Sequence, residues 1–479
     1  MKKKKKKTNK ELKQDNIKKK ENNKNNYIYK IKENINNHKN DLSYYYVDNN
    51  NRLYKNWFNI DEYSIDKTYN NINIINNISN DNDIIKCQKI IMILTNHQKQ
   101  ILDNWFYIHT KMYNETLKYI FETYNINKCD IRKTYLKKLK ADTKNGFYNF
   151  INLRAEMKNK TDELIKESGI DEKTKIHTHT LNYAVRQLCS NIKSACSNML
   201  NGHIKRFRLK YWKYNRPSKS IDIETSNINK GNNICYKQLG DIVYHYNGKE
   251  IKLKDIKINC NIKINYNDIT KQYTLLIPIK EEPIKNINKE SNLISLDPGL
   301  RTFMTGVSED GGIKIGDNIN NIIEKEIIKI NKLKNNNILN KKKIKKKERR
   351  INKKISNKID ELHWQTANFL VKKYNTILLG DMSAKSIVCK NNNILRPTQK
   401  QACLRTRYYM FRQRLEYKCR QYKTNYYLVN ESYTSRLCSY CGNDNANLKG
   451  LHIYDCKNCD HIIDRDFNGA RNIYIKHLI

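Results

Sequence analysis

Apolar side chains recur with a regular beat only after residue 89. Ile90 to Leu94 is a short apolar run with strand character, followed by Thr95 and Asn96, which can accept hydrogen bonds from the first N–H groups of a helix. Ile101, Trp105, Ile108 and Met112 then recur at intervals of four, three and four, which lays one core-facing stripe along a helix through about residue 123. Further helices are expected over 130–203. From Arg206 to about Pro283 the pattern turns strand-like, with Ile256 to Ile264 and Tyr273 to Ile279 alternating or running apolar among β-branched residues, which suits a small antiparallel barrel or sheet. Helical spacing returns between Ile319 and Tyr374, interrupted at Asn335 to Asn337. Upstream, residues 1 to about 86 are Lys- and Asn-rich with little periodicity, so the 1–88 extension is expected to be disordered.

Composition changes that picture in one direction. Lys and Arg number 92 against 48 Asp and Glu, a net charge of +44 over 479 residues. Such an excess calls for a polyanion, and nucleic acid fits because each cation placed near a phosphate releases a condensed counterion. No apolar run reaches the ~18 to 20 residues of a spanning helix, and Lys2 to Lys7 lack the apolar stretch of a signal peptide, so an intracellular protein with no membrane partner is expected. The Lys run suits nuclear import, a DNA-gripping tail or a solvated tail of an AT-rich genome. Within 341–358 stand eleven basic side chains and one acid, Glu348. Crowding like charges on one helix costs energy that a phosphate backbone would recover. Lys341, Lys342, Lys343, Lys345, Lys346, Lys347, Arg349, Arg350, Lys353 and Lys354 are therefore candidate nucleic-acid contacts.

Of the thirteen cysteines, nine are scattered and four form two pairs, Cys438-x-x-Cys441 and Cys456-x-x-Cys459, separated by fourteen residues. Two such knuckles can set four thiolates tetrahedrally around zinc with no position left open, so the metal would be structural. A second signal is Leu293 to Gly306, which reads as strand, tight turn, strand. Asp297 is its only acid, and Pro298 and Gly299 would turn the chain and leave the carboxylate at the sheet edge facing solvent. Asp-Pro-Gly is also an ordinary turn sequence. A second carboxylate comes from Asp464-Arg-Asp466-Phe-Asn-Gly at the start of a terminal helix, where Asp466 could equally cap the helix and offset its dipole. Two hard carboxylates from separate elements are what a Mg²⁺ pair needs to hydrolyse a phosphodiester.

From about Lys89 to the C-terminus these motifs resemble TnpB, the transposon-encoded relative of type V CRISPR nucleases, and still more its eukaryotic and giant-virus counterpart, Fanzor. Asp297 matches the first RuvC motif, Asp466 the third, and Tyr433-Thr-Ser-Arg-Leu-Cys-Ser-Tyr-Cys-Gly442 the opening of the zinc ribbon. Leu415 to Lys418 and His363 to Tyr374 resemble the helices flanking the second motif. The resemblance implies an α/β RNase H-like (RuvC) core at 291–479 with a zinc ribbon inserted at about 434–462. It also implies a β-barrel (wedge) region at 89–290, interrupted by a helical recognition insertion at about 96–203. A transposon-derived guide RNA, a double-stranded DNA target beside a short adjacent motif and a monomeric ribonucleoprotein are implied with it. So is residence in the nucleus or at a viral replication site of a eukaryotic host.

The second motif departs from the pattern. Where TnpB carries a catalytic Glu, this chain has Leu378-Leu-Gly-Asp-Met382, with Gly380 at the Glu position. Fanzor proteins share that alteration and carry a relocated Glu ahead of the Tyr-Thr-Ser segment, the place of Glu431 here. Asp297, Glu431 and Asp466 are thus the expected Mg²⁺ ligands of an RNA-guided endonuclease. The competing readings are a guided DNA-binding protein that no longer cuts, and an unguided transposase or accessory DNA-binding protein.

Overall fold

A computed structural model describes residues 31–33, 46–53, 59–65, 84–124, 130–132, 147–228, 233–256, 258–284, 288–336, 340–388, 395–445 and 452–477. The Lys2 to Lys7 run lies outside them. The chain divides into two compact units, one formed by Ile85–Glu281 and the other by Met1–Ile84 with Glu282–Ile479.

In the first unit, Thr95 caps the helix Asn96–Thr123 in a reciprocal pair of bonds. Its Oγ1 accepts from the Gln98 N–H at 3.2 Å, and its own N–H donates to Gln98 Oε1 at 2.8 Å. Ile101, Trp105, Ile108 and Met112 are all buried, so the stripe is the core face. This helix, Phe150–Glu156, Lys158–Glu167 and Thr178–Leu200 stand between the strand Ile84–Ile93 and the short strand Arg206–Arg208. The unit's sheet runs, edge to edge, through Ser218–Ile223, Ile262–Asn267, Gln272–Glu281, Ile84–Ile93, Val243–Tyr246 and Lys249–Ile251. Among the described residues no pairing joins those edges into the barrel expected from the sequence. The strand expected from Ile256 begins only at Ile262, preceded by a 3₁₀ turn at Leu253–Asp255. Asn259 and Asn261 favour turn geometry over a ladder.

The second unit is built on a seven-stranded sheet in the order Tyr46–Leu53, Ile60–Ile65, Gly311–Asp317, Thr302–Ser308, Ser291–Pro298, Tyr374–Gly380, Asn425–Val429. The strand carrying Asp297 is antiparallel to Thr302–Ser308 and parallel to Tyr374–Gly380, which is in turn parallel to Asn425–Val429. That is the arrangement expected of an RNase H-like core. Two strands come from the segment whose composition predicts disorder. Ile60–Ile65 pairs with Gly311–Asp317, and Ile60 is fully buried in the core beneath the sheet. One well-placed apolar residue and a free sheet edge outweigh the local Asn bias, because strand pairing is a tertiary property. Lys341–Lys373 is one continuous helix whose Ile355, Ile359, Leu362, His363, Thr366, Ala367, Leu370 and Val371 are buried at helical spacing.

Candidate active site

Parallel pairing sets the ends of three strands side by side. Leu296 pairs with Leu379 and Gly380 with Val429, so Asp297, Gly380 and the turn after Val429 fall at one end of the sheet. Asp297 is half-buried within its strand, pairing with Thr305, and so is not turned out to open solvent as the Pro-Gly turn suggested. Gly380 leaves no side chain, and the space is filled from the next strand. A Cβ built on Gly380 would lie 2.6 Å from Glu431 Oε2 and 3.0 Å from Pro298 Cδ, so the Glu431 carboxylate occupies the room a residue at 380 would use.

The terminal helix Arg465–Lys476 closes the site from the other side. Its Ala470 carbonyl accepts from Ser295 Oγ at 2.7 Å, two residues before Asp297. Gly469 permits that approach, since a Cβ there would meet Asp297 Oδ2 at 2.5 Å. Asp466 lies three residues earlier on the same helix face and is thereby brought towards Asp297. Capping belongs to Asp464, not Asp466: Asp464 Oδ1 accepts from the N–H groups of Asp466 at 3.0 Å and Phe467 at 3.3 Å. The Asp466 side chain is left for another task.

The electrostatics agree with the geometry. Burial, then the charges of Glu431 and Asp466, push the Asp297 carboxyl well above the usual carboxylate range. Burial and the neighbouring Asp381 raise Glu431 to about 7, and burial with Asp464 raises Asp466. Asp297, whose ionised form both Glu431 and Asp466 disfavour, is the carboxyl that a nearby divalent cation would relieve most. Glu431 Oε2 is moreover buried with no hydrogen-bond partner among the described residues, an acceptor that a cation would satisfy. Three carboxylates are the donor type that Mg²⁺ takes, but among the described residues it is the four cysteines, and not Asp297, Glu431 and Asp466, whose ligand atoms all lie within 4.8 Å of one another.

Asp381 and Lys476 hold the Glu431 turn. Asp381 Oδ1 accepts from the Glu431 N–H at 3.2 Å, and the Asp381 N–H donates to the Val429 carbonyl at 2.9 Å. Lys476 Nζ donates to the Asn430 carbonyl at 2.8 Å and to Asn430 Oδ1 at 3.1 Å. Asp464, an Asx residue just ahead of an amphipathic run, carried a readable capping signature. Lys476 carried none.

Cys438, Cys441, Cys456 and Cys459 come together, with their Sγ atoms all within 4.8 Å of one another. Cys438 lies 3.7 Å from Cys459 and Cys441 3.5 Å from Cys456, while the Tyr440 N–H points at Cys438 Sγ from 3.4 Å. Four sulfur donors so placed fit a closed tetrahedral zinc site. The ribbon is tied to the terminal helix. Asn468 Nδ2 donates to the Leu437 carbonyl at 2.8 Å while its Oδ1 accepts from the Ser439 N–H at 2.9 Å, and Asn472 Nδ2 donates to the carbonyls of Thr434 and Leu437 at 2.8 and 2.7 Å.

All ten basic side chains proposed for nucleic-acid contact, from Lys341 to Lys354, are exposed on the first half of the Lys341–Lys373 helix. Glu348, inside this stretch, pairs with Lys334 at 2.9 Å, and Glu326 approaches Lys354 at 3.8 Å. His363 belongs to the buried second half. It stacks on Phe303, and its Nε2 lies 2.9 Å from the Thr406 carbonyl, so it is part of the core packing.

A TnpB-like protein of Acanthamoeba polyphaga mimivirus is 32% identical over 408 residues, covering 81% of this chain and 72% of that protein. The chain belongs to the TnpB-like family. Residues 408–473 of this TnpB-like chain match the Cas12f1-like TNB domain, a span that includes Glu431, all four zinc-ribbon cysteines and Asp466. The CRISPR-associated endodeoxyribonuclease Cas12f1 of Sulfoacidibacillus thermotolerans is 36% identical over 72 residues, 15% of this chain and 17% of that protein. A solved Cas12f1–sgRNA–target DNA complex aligns over 81% of this chain and 98% of its own at 16% identity, with a TM-score of 0.28, too slight a likeness to carry fold or function. Among the described residues no helix is long and apolar enough to cross a membrane.

Proposed function

We propose that this TnpB-like protein is a transposon-encoded, RNA-guided DNA endonuclease of the Fanzor kind, with Asp297, Glu431 and Asp466 holding catalytic Mg²⁺. The observation that carries the reading is the complementarity at Gly380. The position that lacks a carboxylate is empty of side chain, and the carboxylate of Glu431 stands in that space. When bound, the cation supplies an activated water and charge stabilisation at the leaving oxygen of a phosphodiester. Asp297 anchors one side of the cluster from the central strand, Asp466 the other from the terminal helix, and Glu431 completes it from the turn that Asp381 and Lys476 fix. The cysteine cluster holds zinc as a structural staple for that helix. The exposed cations of the Lys341–Lys373 helix grip the guide RNA or its heteroduplex through phosphates, without reading bases.

In this reading 89–290 serves as the wedge region with a recognition insertion at about 96–203, 291–479 is the nuclease, and the particle is a monomeric ribonucleoprotein. It works in the nucleus or at a viral replication site, in keeping with relatives from giant viruses. The test is to purify the protein together with its locus transcript, sequence the RNA that comes with it, and assay Mg²⁺-dependent cutting of a matched duplex. Asp297→Asn, Glu431→Gln and Asp466→Asn should each retain guide and target binding and cut roughly a thousandfold more slowly, the several kcal/mol that a metal-held transition state is worth. Absence of any co-purified RNA, or near wild-type cutting by Glu431→Gln, would overturn the proposal.

A further inference from the structure

The helix Asn96–Thr123 and the irregular segment Leu209–Arg216 run antiparallel and are joined by a series of aromatic pairs. Tyr107 stacks on Tyr214 with ring centroids 4.8 Å apart, Tyr113 on Trp212 at 3.7 Å, and Phe121 meets Tyr211 edge-on at 5.8 Å. The middle of the series is sealed. Trp212 is held between Tyr113 on one face and the Arg216 guanidinium, 3.7 Å from the ring centre, on the other. Asn114 clamps its backbone, with Nδ2 donating to the Trp212 carbonyl at 3.1 Å and Oδ1 accepting from the Trp212 N–H at 2.8 Å. The two ends are open: Tyr107 is 46% exposed, Tyr214 42% and Tyr211 49%.

This arrangement fixes large flat rings, each partly covered by its partner and the rest open to solvent. The Asn114 clamp and the sealed Trp212 stack take up the ordering cost of the segment in the folded protein, so its exposed rings are preorganised. From Tyr107 to Phe121 is fourteen helical positions, roughly 21 Å at ~1.5 Å per residue, a reach that fits several nucleotides. Along the segment itself the charge is of one sign, with Asp130 opposite Arg208 in the short ladder Asp130–Arg132 with Arg206–Arg208. Lys205, Arg206, Arg208, Lys210 and Lys213 are exposed, and no acid occurs between Lys205 and Arg216. Exposed aromatic faces beside a basic strip form a platform on which bases stack while phosphates run along the cations.

We infer that this strip is a base-stacking site for unpaired RNA nucleotides, with Tyr107 and Tyr214 as the principal platform and Tyr211 as the second. Unpaired RNA is the occupant that fits because a folded RNA presents splayed bases in its loops, whereas a DNA duplex keeps its bases stacked until it is opened. The choice of RNA rests on the RNA-guided reading above, but the stacking site does not depend on the carboxylate cluster.

The full-length protein would be irradiated with an RNA of about twelve nucleotides carrying 5-iodouridine, a DNA of the same sequence carrying 5-iododeoxyuridine, and an abasic strand of equal length. Cross-links mapped to Tyr107, Tyr214 or Tyr211 on the RNA are expected. Tyr107→Ala with Tyr214→Ala should weaken the base-bearing RNA roughly fivefold to a hundredfold and leave the abasic strand unchanged, while Tyr107→Phe with Tyr214→Phe restores binding. Cross-links confined to other residues, a site that takes only the DNA, or equal losses on base-bearing and abasic strands would overturn the inference. A protein that cross-links RNA at these tyrosines yet does not cut a matched duplex would break the nuclease reading alone.

Discussion

The two candidate metal sites of the second unit are built in opposite ways. The cysteine cluster is local: its four ligands span 438 to 459, its knuckles set their own geometry through short-range N–H···S contacts, and the sulfurs converge within 4.8 Å. The carboxylate cluster is tertiary. Its carboxylates lie at 297, 431 and 466 on a central strand, a turn after an edge strand and a helix, and two glycines make room for them. A local site is specified by spacing and stabilises what surrounds it. A tertiary site is specified by register and depends on what surrounds it.

The largest test of that difference removes the zinc. Cys456→Ala, or a chelator strong enough to strip the metal, should unfold the ribbon around the four cysteines, because apparent binding energies of about 10 kcal/mol and more make structural zinc part of folding. The Asn468 and Asn472 bonds would go with the ribbon, so the Asp466 helix should loosen and Mg²⁺-dependent cutting disappear. Elemental analysis and limited proteolysis check it. Full zinc with an intact ribbon in Cys456→Ala would show that the four thiols do not act as one site. The converse does not hold, and Asp297→Asn should leave zinc content unchanged.

The next effect is a hundredfold rather than a collapse. Gly380→Ala places a methyl group 2.6 Å from the Glu431 carboxylate, and Gly469→Ala places one 2.5 Å from that of Asp297. Each displaces a carboxylate by a fraction of an ångström to an ångström, which costs roughly a hundredfold in rate when reacting groups must be held in register. Overpacking should also lower stability by about 1 to 3 kcal/mol. Thermal melts and single-turnover cutting on a bound target separate the two losses. Cutting by Gly380→Ala at the wild-type rate would mean that Glu431 is not held there for chemistry.

The same contrast explains what could be read from the sequence. Cys438 to Cys459 and the Ile101 to Met112 stripe repeat at periods set by short-range geometry, so spacing alone located them. The end of the Asp297 strand was legible from Asp-Pro-Gly, but not its half-buried setting, which depends on Gly469 across the site. Ile60–Ile65 was hidden because its partner, Gly311–Asp317, lies some 250 positions away and its neighbours are Asn-rich. The assignment of capping to Asp464 was available locally. Glu431 needed the resemblance, since nothing in Asn430-Glu-Ser-Tyr433 marks a ligand until the parallel Gly380 strand is set beside it.

A smaller and graded effect is expected of the basic helix, whose role is additive where those of the metal sites are all-or-none. Reversing Lys345, Lys346 and Arg349 to Glu should weaken guide RNA binding across sequences and lower the salt dependence of log K by about three, near 0.9 for each phosphate that is no longer neutralised. Filter binding at several salt concentrations measures it. An unchanged slope would assign these exposed cations to solvent.

The smallest change should come from Asp381→Asn, although Asp381 is the acid adjacent to the altered Gly380. Asp381 stands just past the end of the strand Tyr374–Gly380, beside the turn that carries Glu431. In the structure its Oδ1 accepts from the Glu431 N–H at 3.2 Å, which makes it a positioning residue for the turn and not a member of the cluster. Asparagine keeps that acceptor in nearly the same place, while the Asp381 N–H still donates to the Val429 carbonyl. Cutting should therefore stay within a few-fold of wild type, whereas Asp381→Leu, which removes the acceptor, should lose roughly tenfold to a hundredfold, as loss of a group that orients a metal ligand typically does. If Asp381→Asn abolishes Mg²⁺-dependent cutting while Glu431→Gln does not, the third carboxylate sits at 381, and Glu431 has only a structural part in the turn leading into the ribbon.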